Sequence, residues 1–484
     1  MAFSQQHVCG TSHDDQLSMV DFIEEYNKRK DDIGTTRSND PIYVPVKMHL
    51  VADNDGIGRV KGNLALNQMT VLINDFKQVD MHLYLDDQSF NYLDNTNIYF
   101  NPGGFTNTIV SQKDNNAINI FVTENANTTS GQGVVLGFYN PGGDYIVIRI
   151  NDVANATFSL SHEVGHLFGL PHTFFGWEGG WNPEVFNGQV NIQNAPGTNI
   201  PVELVDRSNC NVAADRICDT PVDYNFGFGW NGCDYTEQIL DRNGDLIDPD
   251  ERNFMSYFIG CDPYGFSEGQ TDIMFANFNS AGRSNIRRSY IPNTTEIVSN
   301  HTLVSPANNE MLEQFNLVEV EWTAAEGASL YLLSVTASGE SFEIITDQTK
   351  VLLDQLSPNK PYFWEVRPFN DGNTDSETKS ALFFTGSETI TSVNETQLIE
   401  QLNVFPNPVF GQDQLSISFD AVKNIDASIS LISIDGGKVI DQQTSFTTGN
   451  NNHSLDVSTL STGLYILNIS TEDGSIQRKV LIQD

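Results

Sequence analysis

The distribution of apolar and polar residues predicts strands mixed with helices in the first part of the chain. The stretch ALNQMTVLINDFKQ (65–78) has apolar residues three and four apart, which is typical of an amphipathic helix. Alternating or continuous apolar runs predict strands at 42–51, 81–86, 97–100, 117–124 and 145–151. This pattern starts at Pro41 and continues to about residue 292, so we expect one α/β domain over 41–292, preceded by a polar, weakly patterned leader or prosegment at 1–40.

Further along the chain, the pattern changes to short strands at regular spacing. Between residues 301 and 387 this spacing predicts a β-sandwich. A polar linker is expected at 388–402, followed by a second small all-β unit at 403–484. The predicted architecture is multidomain: an α/β domain followed by two all-β sandwich domains.

The charge balance narrows the classes of partner. With 25 Lys and Arg against 63 Asp and Glu, the formal net charge is −38. Nucleic-acid phosphates are bound by Lys and Arg, so this charge argues against a nucleic-acid partner. Abundant carboxylates suit a soluble surface, and they also suit calcium, which prefers oxygen ligands. No apolar run approaches the roughly 20 residues of a membrane-spanning helix, so we do not expect the protein to span a membrane.

The cysteines indicate an oxidising compartment. Cys210, Cys218, Cys233 and Cys261 form a group of four, which predicts two disulfides with three possible pairings. The alternative, a second zinc site, lacks paired C-x-x-C spacing. The first residues, MAFSQQHVCG, have neither the basic nor the apolar stretch of an export signal. Either a signal has been removed or the protein stays inside the cell, and the four cysteines favour removal.

Three of the nine histidines fall within HEVGHLFGLPH, residues 162–172. On a helix, His162 and His166 project from one face, where both imidazoles can bind one Zn²⁺. Gly169 can end the helix and Pro171 prevents its continuation, so the chain can bring His172 round as a third ligand. Three protein ligands leave one position open, which is typical of catalytic zinc. Glu163 lies beside the first ligand, where a general base is expected.

HEVGHLFGLPH resembles the long zinc signature of the metzincin metalloproteases. NFMSY (253–257) is similar to their methionine turn, which implies Met255 as an apolar base below the zinc histidines and Tyr257 as a hydrogen-bond donor to the tetrahedral intermediate. Within that class, VLGFYNP (135–141), ADRICDTPVD (214–223) and CDPYGFSEGQ (261–270) resemble stretches of the pappalysin family.

The pappalysin resemblance carries three further implications. It implies a structural calcium held by Asp215 and Thr220, with the carbonyl of Ile217. Basic-specific members place an aspartate just before the cysteine that follows the methionine turn, whereas this chain has Gly260, so a demand for Arg or Lys after the scissile bond is not expected. The stretch Cys-Gly-Thr at Cys9 resembles the cysteine switch of the prosegments, which implies that Cys9 binds zinc in a latent zymogen.

The two all-β parts also resemble known domains. Trp322 and the stretch LSPNKPYFWEV are similar to a fibronectin type III domain. Pro406-Asn407-Pro408, a late Gly463-Leu464-Tyr465 strand and a basic residue near the end resemble the sorting domain of type IX secretion substrates. That resemblance implies the type IX secretion machinery as a partner, and secretion or attachment at the cell surface.

Together with the histidine motif at 162–172, these observations predict a secreted zinc endopeptidase acting on protein or peptide substrates. Glu163 would take a proton from water and deliver it to the leaving amine, and Tyr257 would stabilise the oxyanion. Two other functions remain open at this point: a surface binding or adhesion protein on a protease scaffold, and a zinc amidase acting on small molecules or cell wall.

Overall fold

The computed structural model describes residues 7–33, 41–127, 134–179, 188–230, 232–354, 356–389, 398–410, 414–433, 436–471 and 474–483. The predicted cleavage site near residue 40 and most of the predicted linker 388–402 lie outside these ranges. The chain forms two compact units, one of residues 1–297 with 369–376 and one of residues 298–368 with 377–484. In the described part of the chain, no helix has the length and apolar character needed to cross a membrane.

The first unit contains a mixed seven-stranded sheet in the order β1-β6-β7-β5-β2-β3, with β4 paired to β2. Its strands are β1 (His7–Cys9), β2 (Ile42–Ala52), β3 (Met81–Leu85), β4 (Asn91–Asp94), β5 (Ile118–Thr123), β6 (Val134–Asn140) and β7 (Tyr145–Arg149). Neighbouring strands run parallel except β6 and β7, which are antiparallel. All six residues of β5 are buried, as expected for the centre of a parallel sheet covered on both faces.

Seven α-helices are described in this unit. They are α1 (His13–Ile33), α2 (Gly62–Lys77), α3 (Thr96–Phe100), α4 (Thr106–Ser111), α5 (Ile150–Ala154), α6 (Ser159–Leu167) and α7 (Glu268–Phe278). Helix α2 confirms the amphipathic pattern, since Leu66, Met69, Leu72 and Phe76 are all buried along one face. Helix α7 starts with a capping box in which Ser267 and Gln270 satisfy each other's backbone N–H groups.

The strand expected at 97–100 is wrong, because these residues form helix α3. The side chain of Asn95 accepts hydrogen bonds from the backbone N–H groups of Asn97 and Ile98, both at 3.1 Å. Such an N-cap satisfies the donors that open a helix, and it outweighs the strand preference of a four-residue apolar run.

The segment 369–376 lies between two strands of the second unit in sequence but belongs to the first unit. The carboxylate of Asp371 accepts hydrogen bonds from the Tyr290 hydroxyl and the Asn293 N–H. The carbonyl of Asp371 accepts from the Leu85 N–H at 2.8 Å, and Thr374 bonds the Thr70 hydroxyl at 2.8 Å. The first unit is therefore completed by residues far downstream of Ile297.

The second unit is all-β, and with the first it confirms the predicted fold class. Two sheets cover residues 303–384, in the orders β13-β10-β8 and β12-β11-β14-β15-β9. Their strands are β8 (Leu303–Ser305), β9 (Glu310–Met311), β10 (Val318–Trp322), β11 (Leu330–Ala337), β12 (Glu340–Thr346), β13 (Lys350–Leu353), β14 (Pro361–Phe369) and β15 (Lys379–Phe384). Trp322 and Trp364 are fully buried in this part of the unit.

Two further sheets follow, in the orders β16-β18-β21 and β17-β23-β22-β19-β20. The strands are β16 (Ile399–Phe405), β17 (Val409–Phe410), β18 (Gln414–Ala421), β19 (Ile425–Ser433), β20 (Lys438–Phe446), β21 (Gly449–Asp456), β22 (Gly463–Thr471) and β23 (Gly474–Gln483). Asn407 fixes the Pro-Asn-Pro stretch to the last strand, since its side chain accepts from the Leu481 N–H and donates to the Lys479 carbonyl. The apolar residues of these sheets form one shared core.

Candidate zinc centre and active site

Helix α6 carries His162, Glu163 and His166 on buried positions. The helix ends where Gly169 adopts a φ of +91°, a left-handed conformation that glycine takes without strain. The Gly169 N–H donates to the carbonyl of His166 at 2.9 Å, and the Leu170 N–H donates to that of Gly165 at 3.0 Å. This tight exit turns the chain back toward the helix, so that His172 approaches the other two histidines.

The three imidazoles converge on one point together with Cys9. Their ring centroids are 4.7 Å (His162–His166), 4.8 Å (His166–His172) and 5.2 Å (His162–His172) apart. One ligand atom from each histidine and the Sγ of Cys9 all lie within 4.8 Å of one another. The Nε2 of His162 and both ring nitrogens of His172 are buried without a hydrogen-bond partner. Buried polar atoms are rarely left unpaired, so the unpaired nitrogens beside the Cys9 thiol mark a place for a ligand.

The outward-facing nitrogens of two imidazoles are held by backbone carbonyls. The Nδ1 of His162 lies 2.6 Å from the carbonyl of Phe254, and that of His166 lies 2.7 Å from the carbonyl of Leu170. A carbonyl only accepts, so each Nδ1 carries the proton and each Nε2 presents its lone pair to the common centre. Burial lowers the pKa of His162 to about 4, which keeps its imidazole neutral and able to bind a metal.

Met255 packs directly beneath helix α6. Its side chain is fully buried, and a Cβ added to Gly165 would lie 2.5 Å from its Sδ. The Met255 carbonyl also accepts a hydrogen bond from the Thr173 N–H at 3.2 Å, next to His172. Gly165, which falls between the two helical histidines, is therefore the residue that allows this sulfur to approach the helix.

Glu163 is 1% exposed and faces residues 9–11 of the chain. Its Oε2 accepts a hydrogen bond from the Thr11 hydroxyl at 3.2 Å and lies 3.5 Å from the Cys9 thiol. Burial, the largest cause, raises the pKa of Glu163 to about 8, and the hydrogen bonds from Cys9 and Thr11 oppose that rise. A carboxyl group with a pKa near neutrality is suited to exchange protons at physiological pH.

Tyr257 lies beside the three imidazoles. Its ring lies 5.0 Å from that of His172, and its hydroxyl accepts a hydrogen bond from the Cys9 N–H at 3.1 Å. The hydroxyl thus meets the backbone of the prosegment beside the metal-ligand cluster. The hydroxyl of Tyr257 is the donor that the sequence predicts for an oxyanion, and that role stays a prediction.

Residues 7–33, which the sequence presents as polar and weakly patterned, pack against the rest of the first unit. Helix α1 buries Met19, Val20 and Ile23, which are at most 4% exposed. The Gln16 side chain accepts a hydrogen bond from the His172 N–H at 2.9 Å, beside the third histidine. These apolar and polar contacts hold residues 7–33 to the rest of the first unit.

A buried acidic cluster surrounds the D-T-P stretch. Asp215 is fully buried, accepts from the Ile217 N–H at 2.9 Å, and lies 3.0 Å from the Thr220 hydroxyl, which also bonds the carbonyl of Ile217 at 2.6 Å. Glu203, 2% exposed, has an unpartnered buried Oε2. Burial, and then the charge of Asp215, raise the pKa of Glu203 to about 9. Two carboxylates, a hydroxyl and a carbonyl are hard oxygen donors of the kind that calcium binds.

Gly260 lines a cavity that shares walls with a second cavity beside Glu163. The cavity beside Glu163 is lined by Leu136, Phe158, Ile259 and Tyr257, among others. A larger cavity shares the first three walls and continues past Gly260 to Arg149 and to three carboxylates, those of Asp75, Asp152 and Asp262. A Cβ on Gly260 would meet no atom within 4 Å, and the residue has a φ of +73°. The predicted specificity position therefore opens into space that a longer side chain can fill.

The four grouped cysteines form two disulfides, Cys210–Cys218 and Cys233–Cys261. Cys9 is the free cysteine among the described residues. The sequence left three pairings open, and the structure selects one. Each disulfide closes a loop near the acidic cluster or the residues that follow the methionine turn.

Sequence reasoning missed Thr11, Gln16 and Glu203. Thr11 stood inside the quoted Cys-Gly-Thr stretch, so its position beside a motif cysteine was an available signal. Gln16 and Glu203 belong to no recognised motif, and only the fold brings them to His172 and Asp215.

Comparison with known proteins assigns the C-terminal part of the chain. The model of the family described as "Secretion system C-terminal sorting domain" matches residues 403–483. The sorting domain predicted at 403–484 is thereby confirmed, and it indicates secretion through the type IX machinery and attachment at the cell surface. No curated protein matches the chain.

Solved structures similar to the chain include two of mirolysin from Tannerella forsythia. The mature protein in complex with a cleaved peptide is 18% identical, over 52% of this chain and 97% of that one, with a TM-score of 0.37. A promirolysin mutant is 16% identical, over 58% of this chain and 97% of that one, with a TM-score of 0.41. A two-domain fibronectin type III segment of chicken tenascin is 14% identical, over 38% of this chain and 99% of that one, with a TM-score of 0.15.

Gly165→Ala should destabilise the first unit, because its new Cβ would lie 2.5 Å from the Sδ of Met255. Such overpacking costs about 1–3 kcal/mol, which exceeds the ~1 kcal/mol that Ala gains over Gly in a helix. Gly282→Ala is the matched control, since its Cβ would meet only the Ser280 Oγ at 3.8 Å. Denaturant unfolding of the full chain measures both. A Gly165→Ala protein as stable as the control would contradict this packing.

Proposed function

We propose that the first unit is a zinc-dependent endopeptidase that is made as a latent zymogen and exported. The observation that carries the proposal is the convergence of three histidine side chains and one cysteine thiol beside a buried glutamate. Two unpartnered Nε2 atoms and two carbonyl-held Nδ1 atoms fit a divalent metal that accepts neutral imidazole. His162, His166 and His172 would hold the metal in the active form, with Cys9 as the additional ligand in the latent form.

Zinc in this position would supply a Lewis acid that polarises a peptide carbonyl and acidifies water. The chain's own residues account for the remaining requirements. Glu163 is the group that would remove a proton from water and return it to the leaving amine. The Tyr257 ring lies 5.0 Å from that of His172, and its hydroxyl would donate to the oxygen that gains negative charge.

Strand β6 offers the substrate a place to bind. It is the strand whose outer edge is covered by β1, with His7 opposite Val134 and Cys9 opposite Gly137. After removal of residues 1–40, the N–H and C=O groups of this edge would be free to pair with an extended peptide. A scissile bond lying along β6 would then pass Glu163, because a Cβ on Gly137 would meet the Cγ of Glu163 at 3.1 Å.

The edge of strand β6 that would bind substrate also explains latency. Strand β1 occupies it, and Cys9 fills the position that a catalytic zinc needs open. The Cys9 N–H also engages the Tyr257 hydroxyl. A chain with an intact prosegment would therefore have its metal, its oxyanion donor and its substrate edge occupied at once.

We also infer a structural calcium at the acidic cluster, with Asp215, Thr220 and the Ile217 carbonyl as ligands and Glu203 as a fourth. The unpartnered Oε2 of Glu203 supports this inference, since a buried carboxylate oxygen without a donor is costly. Bound calcium would offset the burial and the neighbouring negative charges that raise the pKa values of Glu203 and Asp215.

Glu163→Ala, tested after removal of the prosegment, should retain metal and fold but lose hydrolysis of denatured proteins by about 10²–10⁴-fold, because the base is gone. Glu237→Ala, which removes an exposed carboxylate, is the control. Metal content and mapped cleavage sites, with and without a zinc chelator, are the measurements. Turnover like that of the wild type in Glu163→Ala would refute the mechanism. Turnover of peptidoglycan but not of proteins would favour the amidase function.

Calcium should raise the melting temperature of the full chain in proportion to RT ln(1 + [Ca²⁺]/Kd). The pKa of Asp215 is raised to about 8, so without calcium the folded state holds a proton that the unfolded state releases, and stability should fall as pH rises toward 8. The gain from calcium should therefore grow over that range. Glu203→Gln should reduce the gain, and Glu237→Gln should not. A melting temperature that is unchanged between chelator and millimolar calcium would rule out the site.

The active enzyme should not require Arg or Lys after the scissile bond, because Gly260 offers no carboxylate. Gly260→Asp should shift cleavage toward bonds before basic residues, as the open space there accommodates the new side chain. Gly260→Asn is the control, since Asn places a neutral side chain of similar size on the same left-handed backbone. Peptide libraries measure the preference. Wild-type cleavage confined to basic residues would contradict the prediction, and would assign the charge to Asp75, Asp152 or Asp262.

A further inference from the structure

Thr11 is buried, at 4% exposure, between strand β6 and helix α6. Its Oγ1 accepts a hydrogen bond from the Tyr139 N–H at 3.0 Å. The hydroxyl proton therefore remains for one acceptor. The nearer acceptor is the Oε2 of Glu163 at 3.2 Å, ahead of the Tyr139 carbonyl at 3.4 Å.

The Thr11 contacts are hydrogen bonds to protein groups, whereas Cys9 contributes a candidate metal ligand. The thiol of Cys9 lies at the metal position and also 3.5 Å from the Oε2 of Glu163, and its hold as a ligand depends on whether zinc is bound. The Thr11 hydroxyl contacts a carboxylate and a backbone N–H of the protein itself. In a buried site no water replaces a broken hydrogen bond, so loss of this contact would leave buried polar atoms unpaired.

We propose that Thr11 is a second inhibitory contact that holds the carboxylate of Glu163 and keeps the prosegment in place without the metal. The proposal rests on the proposed function, in which Glu163 is the general base. While Thr11 is bound, the Oε2 of Glu163 already accepts a hydrogen bond from the prosegment, at the oxygen that would take a proton from water. Latency would then have two parts, a ligand at the metal and a hydroxyl at the base, and the Cys9 thiol contacts both places.

The first test measures backbone hydrogen exchange in the full chain after metal chelation. The amides to follow are those of Cys9, which donates to Tyr257 at 3.1 Å, and Gly10, which donates to Gly137 at 2.8 Å. Thr11→Val keeps the size of the side chain and removes the hydroxyl, and it should speed this exchange about tenfold or more. Thr11→Ser should restore protection. Ser18→Ala is the control, because the exposed Ser18 hydroxyl bonds only the carbonyl of Asp15 in its own helix.

The same exchange in a Glu163→Ala background separates the two partners of Thr11. If the carboxylate is the partner that matters, Thr11→Val should have a several-fold smaller effect there. An undiminished effect would overturn the proposal, since Thr11 would then act through Tyr139 alone. If Thr11→Val does not fold, Thr11→Ala provides the same test.

The second test measures peptide hydrolysis by uncut chains. Cys9→Ala should raise activity toward that of the cut chain but leave it well below, and adding Thr11→Val should raise it about tenfold further. After removal of residues 1–40 the prosegment variants are identical proteins and should have equal activity. Full activity of uncut Cys9→Ala, or no added effect of Thr11→Val in both tests, would overturn the proposal. A cut wild-type chain that cleaves nothing, while exchange still responds to Thr11, would refute the proposed function and not the contact.

Discussion

The site depends on two hydrogen bonds between imidazole rings and the backbone. The carbonyls of Phe254 and Leu170 hold the Nδ1 atoms of His162 and His166, so both Nε2 lone pairs face one point. Phe254 precedes the buried Met255, and Leu170 follows the left-handed turn at Gly169. The methionine turn and the helix exit are therefore fixed by the same bonds that orient the ligands. Without these two carbonyls the Nδ1 atoms of His162 and His166 would be buried and unpaired, and nothing would fix the orientation of the two rings.

The sequence pattern was sufficient to predict the structure where the interacting residues are close together in the chain. The spacing of His162, Glu163 and His166, with Gly169 and His172 after them, predicted a helix, its end and the convergence of three imidazoles, and these are present in the structure. Helix α2 and strand β5 were readable for the same reason, since burial imposes a period on the sequence. At 97–100 the pattern gave a wrong prediction. The side chain of Asn95 caps a helix there, and an apolar run of four residues is too short to specify a strand by itself.

Long-range contacts could not be read from the sequence. Glu203 is twelve residues from Asp215 in the sequence, and only the loop geometry brings their charges together. The sequence of helix α1 is weakly patterned because charged residues flank Met19, Val20 and Ile23, yet those three are buried. The predicted roles of the zinc ligands, Glu163, Tyr257 and the calcium ligands stay predictions, as do the domain boundaries and the specificity assigned to Gly260.

The segment 369–376 belongs to the first unit although it lies within the sequence of the second, so the two units are not consecutive pieces of the chain. A gene fragment ending at Ile297 would encode the sheet, the helices and the metal-ligand cluster, but not the residues that bond Leu85, Tyr290 and Thr70. Recombination that exchanged the type III-like domain for another would remove those residues as well. The two parts can therefore be inherited only as a pair, unless a replacement domain carries an equivalent loop.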